Sequence, residues 1–386
     1  MATLRDERSP PTPEVRGGML WGMSLPPPEP RVTLAQLAAA AGVSLSTISK
    51  VLNGRTDVSP TTRAKVEELL EEHGYRRRKA SAAKACLVEL VFHELESAWA
   101  LELIRGVENV AREHGMSVVL TETGSRHAPG PEWIEGVMSR RPAGVVLVFS
   151  DLPQDFRAKL DARSIPFVII DPAGDPAPDV PSVGSANWAG GMMATRHLID
   201  LGHTRIAAIS GPEDMMCSLA RIDGYRSAMG MASLPIDPAL IRYGNFHVDG
   251  GRDHAFSLLR GPHPPTAIFA GSDLQALGVL DAARQIGLRV PEELSIVGYD
   301  DLQLAQWSSP ALTTVHQPLI QMAEEATRMI LRLRDGERPN NLRLDLATSL
   351  VVRQSTAAPP APPARAAGAA QQRALPTAPR EGLWIR

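Results

Sequence analysis

From residue 87 to residue 299 the chain alternates short β-rich apolar runs with longer amphipathic stretches, and this alternation restricts the fold most. The runs lie at 87–92, 117–122, 144–149, 167–170, 205–210, 266–270 and 294–299. Stretches with apolar residues at helical spacing, 101–114, 188–201, 218–231 and 274–286, sit between them. Strands that are almost continuously apolar are buried on both faces. Strand–helix alternation of this kind therefore predicts parallel sheets covered by helices on both sides. No repeat of fixed period is present.

A chain of 386 residues is too long for one ordinary core and suits two or three domains. Aromatic residues are only 4%, so Ala, Leu and Val must fill the interior. The net charge of −3 hides an asymmetry. Residues 31–86 hold ten Lys/Arg against five Asp/Glu, a balance of +5, which leaves −8 for the rest. A basic module beside an acidic body predicts a polyanionic partner for the module alone. Cys86 and Cys217 have no CxxC neighbour or His at metal spacing, so two free thiols in a reducing cytoplasm are expected. The N-terminus opens acidic and Pro-rich, unlike a secretory leader, and no apolar run approaches membrane-spanning length.

Residues 1–30 carry seven prolines and read as a disordered arm. The Ala- and Pro-rich tail, 356–386, reads the same way and lacks a leucine heptad. The stretch 32–75 is helical throughout. Thr33 and Gln36 suit a capping box, with Leu34, Leu37, Ala38 and Ala41 as the first helix's apolar stripe. Gly42 supplies the left-handed turn. Ser44 caps a second helix whose Ile48, Val51 and Leu52 point inward. Ser59 and Pro60 start a third, with Val66, Leu69 and Leu70 inward. This is a helix-turn-helix with a bracing third helix. The second helix turns Leu45, Ser46, Thr47, Ser49 and Lys50 outward. Small hydroxyls allow close approach to phosphates, Lys50 can donate to guanine, and Leu45 can pack on a thymine methyl. A three-helix packing module with a solvated face is the alternative.

The segment VTLAQLAAAAGVSLSTISKVLNGRTDVSPTTRAKVEELLEEHGY resembles the headpiece of the lactose-repressor (LacI/GalR) family nearly end to end. The resemblance implies base-reading positions at Leu45, Ser46 and Lys50. It implies phosphate contacts from Thr33, Ser44, Thr47, Ser49 and Asn53. One departure follows. The family continues with Tyr-x-Pro-Asn and a hinge helix bearing a leucine that wedges into the minor groove. Here Arg76, Arg77, Arg78 and Lys79 follow Tyr75, no proline is present, and Lys84 stands at the leucine position. Four consecutive cations suggest a linker, 76–86, that tracks phosphates with salt-sensitive affinity; a merely solvated basic linker is the alternative.

The resemblance continues from about 87 to 353 through SVGSANWAGGMMATRHLIDLGHTRIAAISG, RIDGY, AIFAGSDLQALGVLDAARQIGLRVPEELSIVGYDD and LTTVHQP. It implies two doubly wound lobes, like a periplasmic binding protein, that bind an effector and dimerise over 87–355. Crossovers are expected near 184–186, 314–316 and 339–342. Lobe 1 then comprises about 87–184 and 317–339, and lobe 2 about 185–314 and 342–354. In open parallel sheets ligands sit beyond the C-terminal strand ends. A sugar there needs paired donors and acceptors and a flat aromatic face. Asp300 ends one run, Ser272 and Asp273 follow another, and Arg221 offers a five-donor fork early in a helix. Phe246 and Trp99 are aromatics in loops after strands. The resemblance places Arg221, Phe246, Ser272 and Asp300 at the family's effector-contacting positions and Ser97 and Trp99 in the first cleft loop. Ser150 and Asp151 end a further strand. Each has a plainer reading: Ser272 and Asp273 as helix caps, Arg221 in a surface ion pair, Phe246 and Trp99 as core, Asp300 as a turn residue. His93, Glu94 and Glu96 are pocket wall or solvated loop, and their acidic balance favours a neutral sugar over an anion.

Together these readings predict a cytoplasmic, nucleoid-associated homodimer that reads a palindromic operator in double-stranded DNA and answers to a small sugar-like effector, a repressor of carbohydrate-utilisation genes. No cofactor, metal or membrane is implied. The alternative is a periplasmic-type solute-binding protein, against which the headpiece and the missing leader argue. An enzyme is a third reading, but the chain has no GxxxxGK[ST], strand-borne GxGxxG, GxSxG or HExxH.

Overall fold

The computed structural model describes residues 34–52, 58–72, 87–95, 98–124, 128–149, 151–172, 174–337 and 339–360. The chain divides into two compact units, Met1–Ala82 and Ala83–Arg386.

In the first unit α1 (Leu34–Ala41), α2 (Leu45–Leu52) and α3 (Pro60–Glu72) enclose one small core. Its buried residues are Leu37, Ala38, Ala41, Ile48, Val51, Val66 and Leu70, the stripe that helical spacing turns inward. Gly42 adopts φ 67°, and the Val43 amide donates back to Ala38 O, which closes α1. Ser44 Oγ accepts from the Thr47 amide at 3.2 Å, and Ser59 Oγ from the Thr62 amide at 3.2 Å. Both are N-caps that satisfy a donor helix geometry leaves open.

The second unit contains two six-stranded sheets. The first lobe begins with β1 (Leu87–Phe92), α4 (Ala98–Glu113), β2 (Ser117–Glu122), α5 (Pro131–Arg140), β3 (Gly144–Val148), α6 (Gln154–Ala162), β4 (Phe167–Ile170) and β5 (Ser182–Ser185). The second lobe runs through α7 (Asn187–Asp200), β6 (Ile206–Ser210), α8 (Met216–Met231), β7 (Ile241–Tyr243), α9 (Val248–Leu259), β8 (Ala267–Ala270), α10 (Asp273–Ile286), β9 (Ser295–Asp300), α11 (Gln303–Trp307) and β10 (Thr313–His316). Finally come α12 (Leu319–Arg334), β11 (Arg343–Leu346) and β12 (Ser349–Val351). The strand orders are β11-β5-β4-β3-β1-β2 and β12-β10-β9-β8-β6-β7. Every pairing is parallel except β10 with β12. In each sheet the order reverses beside the first strand, between β1 and β3 and between β6 and β8, where an open sheet leaves a crevice at its C-terminal edge.

Helices cover both faces of each sheet. In the first lobe α4 and α12 cover one face, over Leu90, Leu103, Val146 and Met322, and α5 and α6 cover the other, over Trp133, Val145 and Leu160. A single charge interrupts β1. Glu89 is fully buried and accepts from Thr121 Oγ1, Trp133 Nε1 and Arg140 at 2.6–3.1 Å. In the second lobe α7 and α8 pack so closely that a Cβ on Gly191 would meet Arg221 O at 2.1 Å and one on Gly224 would meet Trp188 O at 2.2 Å. That approach places Arg221 beneath the end of β9.

The chain passes between the sheets after β5, after β10 and after β11. The third passage was expected at 339–342; β11 instead pairs in parallel with β5, so the passage lies at 347–348. Edge pairing with β5 draws the polar segment after residue 342 into the first sheet. The tail expectation also needs correcting, because residues 356–360 belong to the second lobe. Ala357 O accepts from His203 Nε2 at 2.9 Å, and the Ala357 amide donates to Ser295 Oγ at 3.0 Å. Ser355 Oγ donates to Ile296 O at 2.6 Å and accepts from the Thr313 amide. Hydroxyl and imidazole partners hold this segment despite its Pro/Ala content. The arm 1–30, the linker 76–86 and the tail 361–386 lie outside the described residues.

Cys217 is a free, buried thiol that burial pushes up to about 12, while Cys86 lies outside the described residues. No helix of the described residues is long and apolar enough to cross a membrane.

Candidate functional site

On the first unit α2 divides into two faces. Ile48 and Val51 enter the core, while Leu45, Ser46 and Lys50 are exposed and Thr47 is half-buried. Leu45 is 55% exposed on this face. Ser44 Oγ lies 2.7 Å from Ser46 Oγ and 2.9 Å from Thr47 Oγ1, so three hydroxyls cluster at the positive end of α2. Ser49 belongs to α2, but its side chain is outside the described residues, as are Thr33, Asn53, Arg76, Arg77, Arg78 and Lys79.

The second unit has a cavity of about 370 Å³ between its lobes, lined from the C-terminal strand ends at both switch points. The first lobe contributes Phe92, His93 and Glu94 after β1, Phe149 after β3, and Trp99 of α4. Trp99 stacks on Phe149 with centroids 4.7 Å apart and planes 15° apart, which makes a broad flat wall. The second lobe contributes Pro212, Met215, Arg221, Asn245, Phe246, His247, Ser272, Leu274 and Asp300. Ser272 Oγ donates to Phe246 O at 2.8 Å and accepts from the Gln275 amide at 3.0 Å, so the α10 cap also pins the Phe246 loop. Phe246 at φ 65° and Asp300 at φ 107° are backbone outliers of the kind found at ligand clamps. At the mouth His247 Nε2 approaches Glu94 Oε2 across the lobes at 3.4 Å.

Arg221 organises the floor. Its Nε donates to Asn187 Oδ1 at 2.9 Å, one Nη to Gly271 O, and the other to Gln317 Oε1 at 3.3 Å. The guanidinium lies 3.7 Å from the Tyr299 ring centroid and 5.5 Å from that of Phe246. Gln317 Nε2 in turn donates to Asp171 Oδ2 at 2.9 Å and Ser185 Oγ at 3.0 Å. A continuous polar chain thus joins the second lobe to the first through the crossover after β10. Burial pushes Asp171 up to about 6 and Asp300 up to about 7, in both cases against the pull of Arg221.

The structure therefore brings together Trp99, Arg221, Phe246, Ser272 and Asp300. Asp273 is different. It is fully buried, accepts from Thr314 Oγ1 at 2.6 Å and the Leu302 amide at 2.8 Å, and does not line the cavity. The cap at Ser272 turns it toward β10, where it braces the lobe. Asp151 is exposed and also off the cavity. Ser97, Ser150 and Glu96 lie outside the described residues. Phe149, Asn245 and His247 were not anticipated; Phe149 had a usable signal, as the residue immediately after a switch-point strand. Asp171 and Gln317 had none, because their roles depend on partners far away in sequence. Among the described residues no group of three or more His, Cys, Asp or Glu is arranged to hold a metal ion.

The profile described as bacterial regulatory proteins, lacI family, matches residues 33–78, and one described as a periplasmic binding protein-like domain matches 195–356. The chain is 36% identical over 342 residues to the HTH-type transcriptional regulator CelR of Thermobifida fusca, across 84% of this chain and 98% of the relative. It is 32% identical over 338 residues to the HTH-type transcriptional repressor CytR of Escherichia coli K12, across 86% and 98%. Among solved structures, a CelR–cellobiose complex aligns at TM-score 0.63 and 35% identity, covering 84% of this chain and all of that one. The lac repressor dimer bound to operator and the anti-inducer ONPF aligns at 0.62 and 27%, covering 85% and all of that chain. Headpiece, paired sheets and near full-length likeness together make this chain a member of the LacI family of bacterial regulatory proteins.

Proposed function

We propose that this DNA-binding transcriptional regulator is a cytoplasmic, nucleoid-associated homodimer that represses carbohydrate-utilisation genes and is switched by a neutral saccharide in the inter-lobe cavity. The observation that carries the ligand reading is the division of the cavity between lobes. The flat Trp99–Phe149 wall suits the C–H face of a sugar ring, and Asp300, Asn245 and Ser272 opposite it suit hydroxyls. Arg221 is bonded to Asn187, Gly271 and Gln317 within the protein, and Glu94 lines the same space, which disfavours an anionic ligand. The CelR relative bound to cellobiose makes cellobiose the first ligand to test.

For the DNA, the exposed α2 face supports base reading by Leu45, Ser46 and Lys50, with Ser44, Thr47, Ser49, Thr33, Asn53 and the cations 76–79 on phosphates. The operator-bound lac repressor dimer supports a two-fold arrangement on a palindromic site. Occupancy favours the closed lobes, and operator affinity follows the lobe angle. Fluorescence anisotropy on a palindromic operator, with and without cellobiose, tests the reading. An intact chain that binds its promoter no better than one lacking residues 31–86 refutes the DNA half. Operator affinity indifferent to a panel of neutral mono- and disaccharides refutes the ligand half.

A further inference from the structure

Three carboxylates and one guanidinium are buried together where the lobes meet. Asp171, Asp273 and Asp300 are 4%, 0% and 5% exposed, and Arg221 is 3% exposed. One cation against three acids leaves excess negative charge in a region of low dielectric, which ionised groups tolerate only with good partners. Their partners are unequal. Asp273 accepts from a hydroxyl and an amide, and Asp171 from the Gln317 amide group. Asp300 accepts from the Asp273 amide, and Arg221 Nη1 stands 3.9 Å from its Oδ1, beyond hydrogen-bond reach. Asp300 is also the acid of the three that both lines the cavity and strains its backbone.

We propose that the Asp300 carboxyl holds a proton while the cleft is empty, and that a saccharide entering the cleft expels it to solvent. The inference rests on the saccharide reading above. Ligand hydroxyls donate to the carboxylate, so they stabilise the ionised form and occupancy drives ionisation. The acid plus ligand becomes the carboxylate–ligand complex plus one proton. The groups around Asp300 support the protonated form in the empty site. Asp171 just after β4 and Asp273 of α10 are further acids whose charge disfavours a third, and Tyr299 beside it is apolar in its packing. Burial together with Asp300 also raises Asp273 well above the ordinary carboxylate range, so the two share the competition for a proton. Arg221 and the Asp273 amide oppose them, and burial outweighs both. Across the cavity stand His93 and Glu94 of the first lobe and His247 of the second. Asp301, next in the chain, is turned to His316 and Arg353.

Two measurements on the full-length protein test this. Infrared spectra of the ligand-free chain should show a protonated-carboxyl C=O band near pH 6 that fades by pH 8 and is diminished in Asp300→Asn. Asparagine tolerates positive φ, so that variant keeps the backbone. Calorimetric titration of cellobiose in two buffers of different ionisation enthalpy should show proton release near pH 6. Affinity should fall about tenfold from pH 8 to pH 6, as one linked proton dictates. Asp300→Asn should bind more weakly but without this slope, and His247→Gln should retain it. A missing band, a band lost in Asp171→Asn or Asp273→Asn instead, or an unchanged slope in Asp300→Asn overturns the proposal. No heat with cellobiose at any pH counts against the saccharide reading, and the infrared spectra then decide the proton alone.

Discussion

Gln317→Met replaces a buried amide with a side chain of similar length and no strong donor. It removes the two bonds to Asp171 and Ser185 and the acceptor for Arg221. A hydrogen bond to a charged partner contributes about 1.5–3 kcal/mol, and the 3.3 Å bond from Arg221 counts for less. The sum is about 2–4 kcal/mol. With a urea slope of roughly 3 kcal/mol/M for a unit of this size, the unfolding midpoint should fall by about 1 M. The loss should also depend on pH. Asp171 has a folded value raised to about 6, so its protonated form is the one the fold favours, and stability drains away as pH rises through that value. Losing the Gln317 donor raises it further, so the deficit is larger at pH 8 than at pH 5. The control is Gln321→Met, one turn later and exposed, where the shift should stay within about 0.5 kcal/mol. Urea titrations of both variants by tryptophan fluorescence, at both pH values, decide the matter. A Gln317→Met midpoint equal to that of Gln321→Met, or a deficit independent of pH, refutes the polar-chain argument.

Lys50→Ala should weaken operator binding by about tenfold or more and relax base preference at one position, measured by anisotropy across operator variants. Trp99→Ala strips half of the stacked wall and should weaken cellobiose binding by about tenfold by calorimetry while leaving operator affinity of the ligand-free protein intact. Glu89→Ala leaves Arg140 and Trp133 Nε1 without their shared acceptor; a loss of about 3–5 kcal/mol should lower the thermal midpoint by about 10 °C in calorimetry. Burial holds His203 below its usual range, so its neutral form is favoured in the fold and stability falls as pH drops below about 6.5; His203→Asn should flatten that acid limb in urea midpoints taken between pH 5 and pH 7.5.

Much of the frame was legible because it obeys local rules. All seven apolar runs became strands, with ends within a residue, since burial on both faces dictates their composition. Five strands were missed, all short: Ser182–Ser185 and Thr313–His316 were read only as crossovers, and Ile241–Tyr243, Arg343–Leu346 and Ser349–Val351 exist because a neighbour offers an edge, which no local pattern announces. The site divides the same way. Arg221 and Asp300 could be picked out from strand-end logic and residue chemistry. Asn187, Gln317 and Asp171 could not, because their bonds span 34, 96 and 146 residues. Asp273 shows where the logic fails. Two consecutive polar residues follow β8, and only the helix cap at the first decides that the second faces β10 rather than the cleft.

The distribution of chemistry between lobes bears directly on switching. A ligand shifts a conformational equilibrium only by its difference in affinity for the two states. Here the aromatic wall belongs to the first lobe, while Arg221, Asn245, Ser272 and Asp300 belong to the second. The stacked Trp99–Phe149 wall is on the first lobe and most of the polar groups are on the second, so an opened cleft forfeits part of the contact and the closed arrangement binds a cavity ligand more tightly. The polar chain from Arg221 through Gln317 to Asp171 runs along the crossover at the base of the same cavity. A change of lobe angle must therefore strain or remake those bonds.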